Sequence, residues 1–349
     1  MKKNLIILVL LVFILSCQNQ PESLVEEHYF IFGTIVNVLI WHENDAEVAQ
    51  ALAAVETRLN GMHTQWHAWK AGRLNEINIA LRAGDTLLLT DEEVAFIQTT
   101  QQLSRESLDN FNPAIGELIN LWGFHTDIYP ILQPPPSDSA IQLFLQNLPT
   151  MADIVIVNNQ ISSTNKSIWL DYGGVAKGYA IDVAINILKK HKIENAIVNA
   201  GGDLRSIGSK GDKNWQVAIR EPNSEDILAI IVVQGDESVF TSGNYARYKE
   251  FNGKRYAHII DPKTGYGVEQ IVSATVIANN GTRADAAATA LIVAGAENWQ
   301  TVLENMQLNQ VLLIDADGNC VATKMMMNRI KPTKLNCTIV VTRKIALRG

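Results

Sequence analysis

Cysteine is scarce in this chain. Its 349 residues hold three, Cys17, Cys320 and Cys337, and no CxxC pair, which removes a cysteine-based zinc ribbon and a disulfide-framed mini-domain from consideration. Basic charge is short as well: Lys and Arg number 29 against 36 acidic residues, a net charge of −7. Without a basic face, nucleic acid is not an expected partner. Internal repeats and low-complexity tracts are missing, and no apolar run reaches the roughly 20 residues that a spanning helix needs. The remaining composition is that of a globular protein, long enough for one large domain or two closely joined ones.

The N-terminus is the one unusual stretch. Lys2 and Lys3 precede an unbroken apolar run, Leu5 to Leu15, closed by Ser16 and Cys17. A basic start and so short a run fit a secretory signal better than an anchor helix. The ending Ile14-Leu15-Ser16-Cys17 is similar to a bacterial lipoprotein signal, in which residues 1–16 are removed and Cys17 becomes the lipidated first residue. Gln18, not Asp, follows it, as in lipoproteins sorted to the outer membrane of a Gram-negative cell. The expected location is therefore a membrane-anchored, exported lipoprotein facing the periplasm or the cell surface. Residues 17–28 read as a tether and 29–349 as the folded domain. Cys320 and Cys337 can pair in an oxidising compartment, but two thiols alone favour free or structural cysteines over a disulfide.

Tyr29 to His42, rich in Ile, Val and aromatics, predicts one strand with Gly33-Thr34 inside it. Asn44 with Glu47 resembles a capping box, and Val48, Ala51, Leu52, Val55, Leu59 and Met62 recur behind it at helical spacing. Thr90 and Glu93 open another helix, and Pro134-Pro135-Pro136 marks a surface connection. Strands are predicted at Ile154 to Val157, Ala196 to Val198, Trp215 to Ile219, Leu228 to Val233, Val272 to Ile277 and Val311 to Ile314. Helices are predicted at Val175 to His191 and Ala284 to Ala294. Strand runs broken by a few helices predict an α+β fold, not a regular doubly wound sheet.

Five segments set Gly, Asp, Asn, Thr or His where an apolar run meets a turn: DYGGVAKGYAID (Asp171 to Asp182), NAGGD (Asn199 to Asp203), TSGNY (Thr241 to Tyr245), HIIDPKTG (His258 to Gly265) and ADAAATA (Ala284 to Ala290). In the first, Asp171 is expected at a strand end, Gly173-Gly174 turn the chain into a helix, and Lys177 sits in that helix's first turn. Glycines there admit a ligand close to backbone amides, and a helix N-terminus favours negative charge. The Gly spacing and the missing Ser or Thr after Lys177 exclude a Walker A loop. Alone, the segment is equally a glycine turn with a capping Asp and a solvated Lys. Asp285 and Thr289 lie four apart at a helix start, hence on one side. Carboxylate and hydroxyl suit Mg²⁺, although alone they fit better as a first-turn Asp and a packed Thr. His258 is an imidazole able to take a proton near neutral pH, or a structural strand-end histidine. His63 and His67 flank Trp66, with no nearby third ligand to make a metal site. Trp66 and Trp69 form either an aromatic wall or core packing.

In this order the five segments resemble the ApbE family, which transfers FMN from FAD to a protein hydroxyl. The resemblance runs from about Tyr29 to Asp317 and implies mixed sheets with flanking helices around a flavin and metal cleft. It implies flavin contacts from Phe32, Trp69, Asn110, Phe111, Asn112, Asp171, Lys177 and Ile260, with Ile259 beside Ile260 lining the pocket. It also implies a Mg²⁺ site at Gly174, Asp285 and Thr289, with His258 as base and the only histidine among the ligand motifs. Three departures stand out. Phe32-Gly33-Thr34 replaces Met-Gly-Thr, and Phe can still cover a flavin face. Asn112 replaces an Asp, losing its charge. Thr282 stands where an acidic or other polar ligand is often found. The implied partners are FAD and an acceptor protein with a modifiable Thr or Ser, such as a respiratory electron-transfer subunit. Two rivals share the flavin: a pyrophosphatase releasing FMN and AMP, and a flavin-binding lipoprotein without catalysis, which would need neither metal nor base.

Overall fold

The computed structural model describes residues 23–221, 226–244, 247–332, 335 and 337–341. The apolar N-terminal run, Cys17, Gln18 and Tyr245 lie outside them. The first part of the chain gives β1 (Ser23–Ile31), β2 (Thr34–His42), α1 (Asp45–Gln65), α2 (Arg73–Ala83), β3 (Leu87–Leu88), α3 (Asp91–Glu106), α4 (Gly116–Leu121) and α5 (Asp138–Leu145). Then come β4 (Ile154–Val157), β5 (Gln160–Ser163), α6 (Ala176–Lys190), β6 (Ala196–Ala200), β7 (Asp203–Ile207), β8 (Trp215–Arg220), β9 (Ile227–Val233) and β10 (Glu237–Gly243). The last part adds β11 (Tyr248–Phe251), β12 (Lys254–Ala257), β13 (Ile271–Ala278), α7 (Gly281–Asn305), β14 (Gln310–Asp315), β15 (Cys320–Thr323), α8 (Lys324–Met327), β16 (Ile330–Pro332) and β17 (Cys337–Val340).

Nine strands form the main sheet in the order β1-β2-β6-β7-β10-β13-β14-β15-β17. All its pairings are antiparallel except β15 with β17. Alternation along each strand gives the sheet two apolar faces. On β2, Val36, Val38 and Ile40 join the core beneath α1, α6 and α7, whereas Leu39 and Trp41 turn the other way. That second face is covered by the small sheet β16-β9-β8, whose Trp215, Ile219, Ile231 and Val233 pack on Leu204, Ile277 and Leu312. A third small core gathers Ile115, Leu118, Trp122, Ile141 and Ile260. The architecture is α+β, with helices on one face of a mixed sheet and a sandwich on the other.

Most predicted elements appear within two residues of their expected bounds, but five expectations change. The single strand at Tyr29 to His42 is a hairpin of β1 and β2, turning at Phe32 and Gly33 with φ of 58° and 70°. Two left-handed residues make the turn that matches strand twist. Because β1 starts at Ser23, residues 23–28, expected as part of a tether, belong to a strand of the main sheet. Asn44 caps α1 by accepting from the Ala46 and Glu47 amides, but Glu47 pairs with His42 instead of closing a box. Finally, Cys320 and Cys337 are paired partners on β15 and β17, Cα atoms 4.4 Å apart, and form a disulfide. Helix α7 also runs beyond Ala294 to Asn305, passing a kink at Gly295.

Candidate active site

Two helix N-termini meet under the main sheet. A Cβ on Gly178, in the first turn of α6, would lie 2.2 Å from the Gly281 carbonyl that opens α7, so only glycine allows this approach. Asp182 of α6 accepts from the Gly281 amide at 2.7 Å and from the Thr282 amide and hydroxyl at 2.8 and 2.7 Å. One helix thus supplies the other's cap, satisfying orphan amides. The guanidinium of Arg205 on β7 holds the same carboxylate at 2.6 Å. Thr282, where a further metal ligand was considered, is committed to Asp182.

Asp203 and Arg205, two apart on β7, point to the same face. Asp203 is buried, ion-paired with Lys177, and accepts from the Thr241 amide at 2.8 Å. The motifs NAGGD and TSGNY therefore join DYGGVAKGYAID at this carboxylate. Burial opposes the charge of Lys177, but Asp203 and Asp285 outweigh it and raise its pKa. Asp285, also buried, accepts from the Gly178 amide at 2.9 Å. Burial pushes its pKa up to about 6, with Lys177 opposing and Asp203 and Asp182 adding to the rise.

Gly174, Thr289 and Phe111 converge: a Cβ on Gly174 would meet the Thr289 hydroxyl at 3.2 Å and the Phe111 ring at 3.6 Å. Ser242 of TSGNY lies 3.3 Å from that hydroxyl. No cluster of three His, Cys, Asp or Glu suited to a metal exists among the described residues. The oxygens of Asp285, Thr289 and Gly174 nevertheless fit a hard cation, which takes few protein ligands. Among the described residues, Asp285 has a single hydrogen bond, through Oδ2. Its weakened acidity marks a buried negative charge that a cation would stabilise.

His258 follows β12 and donates through Nδ1–H to the Arg247 carbonyl at 2.9 Å. That bond leaves Nε2 as the unprotonated nitrogen of the neutral ring. Burial, then the charges of Arg247 and Lys177, push its pKa down to about 4, so the ring is a free base at neutral pH. Phe32 occupies the β1–β2 turn, its amide donating to Nδ1 of His63 at 3.3 Å. A Phe with positive φ is strained, and it packs beside Lys177, Ile181 and Val198 around a crevice too tight for a water molecule.

Asp171 is not at a regular strand end. Its segment makes an isolated bridge, Trp169 with Ile115, and the Asn78 amide clasps Leu170 from both sides at 2.7 and 3.0 Å. Sequence reasoning missed the main partner of Asp171: Nε2–H of buried His125 donates to it at 2.8 Å. The ring of His125 stacks on Trp69, centroids 4.7 Å apart and planes within 14°. A second histidine thus joins the motifs, contrary to expectation. Trp69 belongs to this wall, whereas Trp66 packs among Phe96, Tyr172 and Tyr179. Asn112 is turned inward, bonding the Pro149 carbonyl and the Ala114 amide. Asn110 accepts from Lys263 of HIIDPKTG at 3.3 Å. Ile260 lies in the third small core and Ile259 in the main one. No sequence signal joined His125 or Arg247 to these motifs; proximity alone reveals them.

The ApbE family model matches residues 32–313. The FAD:protein FMN transferase of Rhodobacter capsulatus is 36% identical over 311 residues, covering 89% of this chain and 59% of that protein. The chain thus spans about three-fifths of that relative. It spans 95% of the FAD:protein FMN transferase of Vibrio cholerae, at 26% identity over 322 residues and 91% of this chain. The crystal structure of the ApbE protein from Thermotoga maritima superimposes with a TM-score of 0.80 at 26% identity, covering 88% of this chain and 99% of that one.

Proposed function

The chain belongs to the ApbE family, and from that premise we propose that it transfers FMN from FAD to a Thr or Ser hydroxyl of a partner protein, releasing AMP. The observation that carries this reading is the neutral His258, its Nδ1–H fixed on the Arg247 carbonyl, in the electrostatic reach of Lys177. In the reaction, the hydroxyl loses its proton to His258 Nε2 as its oxygen bonds the FMN phosphorus. The bond from that phosphorus to the bridging oxygen breaks, and AMP leaves with the electron pair. Lys177 and the amides at the start of α6 favour the pyrophosphate's negative charge. Asp285, Thr289 and Gly174 would hold Mg²⁺, which neutralises pyrophosphate charge and orients the leaving group when bound. Asp171, braced by His125, and the rings of Trp69 and Phe32 form the flavin-facing wall.

Incubation with FAD, Mg²⁺ and a candidate respiratory subunit tests the reading. AMP should appear in step with acceptor consumed and without free FMN. FMN and AMP released in equal amounts regardless of acceptor would replace it with the pyrophosphatase, and tight FAD binding with neither product would make the chain a carrier.

We propose as well that the protein lies outside the cytoplasm as a lipoprotein anchored through Cys17 and facing the periplasm or cell surface. The signal-like N-terminus supports this, and so does the Cys320–Cys337 disulfide, a bond that persists in oxidising compartments. Mature protein should carry a lipid on Cys17; a soluble chain still beginning at Met1 would contradict it.

A further inference from the structure

Lys177 cannot supply all the positive charge that the site needs. Its ammonium is ion-paired with Asp203, and Asp285 adds a second carboxylate to its surroundings. Those three groups are net negative before an anionic substrate arrives. Arg205 is engaged elsewhere, by Asp182 and Asp236. Arg247 differs. It is exposed, and its Nη2 reaches to 3.7 Å from where a Cβ on Gly33 would sit, across the β1–β2 turn that holds Phe32. Its charge is felt by Lys177 and by His258. Among the described residues no carboxylate pairs with it.

We infer that Arg247 is a catalytic residue of this site: its guanidinium binds the pyrophosphate oxygens of FAD, while its own carbonyl sets the tautomer of His258. The inference rests on the FMN-transfer reading. A guanidinium fork matches two phosphate oxygens at once, as a lysine cannot. The charge that spreads over the transferring group is stabilised most by a cation already in position. One residue thereby joins phosphate to base, since the backbone of Arg247 orients the ring that takes the hydroxyl's proton, in the step already balanced above. Because the link to His258 is a backbone carbonyl, side-chain substitution leaves that hydrogen bond available. The two roles can therefore be separated.

The test uses the full chain carrying Arg247→Gln or Arg247→Lys, with FAD affinity read by flavin fluorescence and transfer by acceptor mass. Arg247→Gln should weaken FAD binding about 10-fold, as loss of a charge-assisted bond does, and lower kcat a further ~100-fold or more. Arg247→Lys should restore most of the binding but little of the kcat. With the cation gone, the acid limb of kcat/KM should also move to higher pH, because His258 loses one of the charges that lower its pKa. Wild-type FAD affinity in Arg247→Gln would overturn the inference whatever the transfer rate. If the wild type transfers nothing to any acceptor yet Arg247→Gln still weakens FAD binding, the transferase reading fails and the phosphate contact stands.

Discussion

On the face of the nine-stranded sheet that carries α6 and α7, Asp182, Asp203 and Asp285 are all buried, each held by amides or a cation. The opposite face meets β8, β9 and β16 through Trp215, Ile219, Ile231 and Val233, and its ion pair of Arg329 with Glu237 is only partly buried. A buried carboxylate opposes stability unless amides or cations answer it. An apolar contact of this kind stabilises by removing surface from water. The difference separates two tasks within one sheet: the sandwich face holds the domain together, and the helix face keeps charge ready for chemistry. Substitutions on the two faces should therefore separate activity from stability.

The largest effect is expected at Asp285. Asp285→Asn keeps an acceptor for the Gly178 amide but loses the charge proposed to hold the cation, so kcat should fall by about 10³ or more while FAD binding stays measurable. Wild-type turnover of this variant in excess EDTA would end the metal assignment. His258→Ala should cost about 10²–10⁴ in transfer with FAD affinity retained, partly relieved at raised pH where hydroxide can act. In the wild type, burial holds the pKa of His258 down to about 4, and the proposed transfer needs the neutral ring. At saturating Mg²⁺, which keeps Asp285 ionised, the acid limb of kcat/KM should therefore lie near that value. The limb of kcat should lie higher, because bound pyrophosphate counters the cations that lower the pKa.

A smaller effect concerns pH and metal. Asp285 must lose its proton to bind a cation, and its pKa is raised to about 6. Apparent Mg²⁺ affinity should rise about tenfold per pH unit up to that value and level off above it. In the metal-free chain the sign is opposite for stability. Protonated Asp285 favours the fold, and that contribution is lost as pH rises through about 6; calorimetry with and without Mg²⁺ reads both slopes. A flat metal affinity from pH 5 to 7 would remove Asp285 from the ligand set.

The smallest effect on activity is expected across the sheet. Cys337→Ser opens a loop of sequence separation 17 and should lower unfolding stability by about 3 kcal/mol. Denaturant titration should show that loss with kcat unchanged. A large fall in kcat would mean that the two faces are not separable.

The same contrast governs what could be read from the sequence. Helical spacing revealed α1 and α6, and the strand cores at Ile154, Trp215 and Val311 follow from short apolar runs. The first hairpin was hidden because Phe at its turn is not the residue such a turn ordinarily selects. Strands β7 and β10 were hidden because their polar starts and ends, Asp203 and Thr241 to Gly243, look like loop chemistry. The motif residues were legible as a set, but their contacts were not. His125 reaches Asp171 over 46 positions, Asp182 reaches Thr282 over 100, and Arg247 joins His258 through a backbone atom. The disulfide depended on the register of β15 with β17, which two isolated cysteines cannot reveal.

Intact-mass measurement of an acceptor protein after incubation with FAD, Mg²⁺ and the wild-type chain tests the central claim most directly. The account predicts a gain of one FMN per acceptor, abolished when the acceptor's hydroxyl residue is replaced and absent with Asp285→Asn. An acceptor of unchanged mass, beside free FMN in solution, would contradict it.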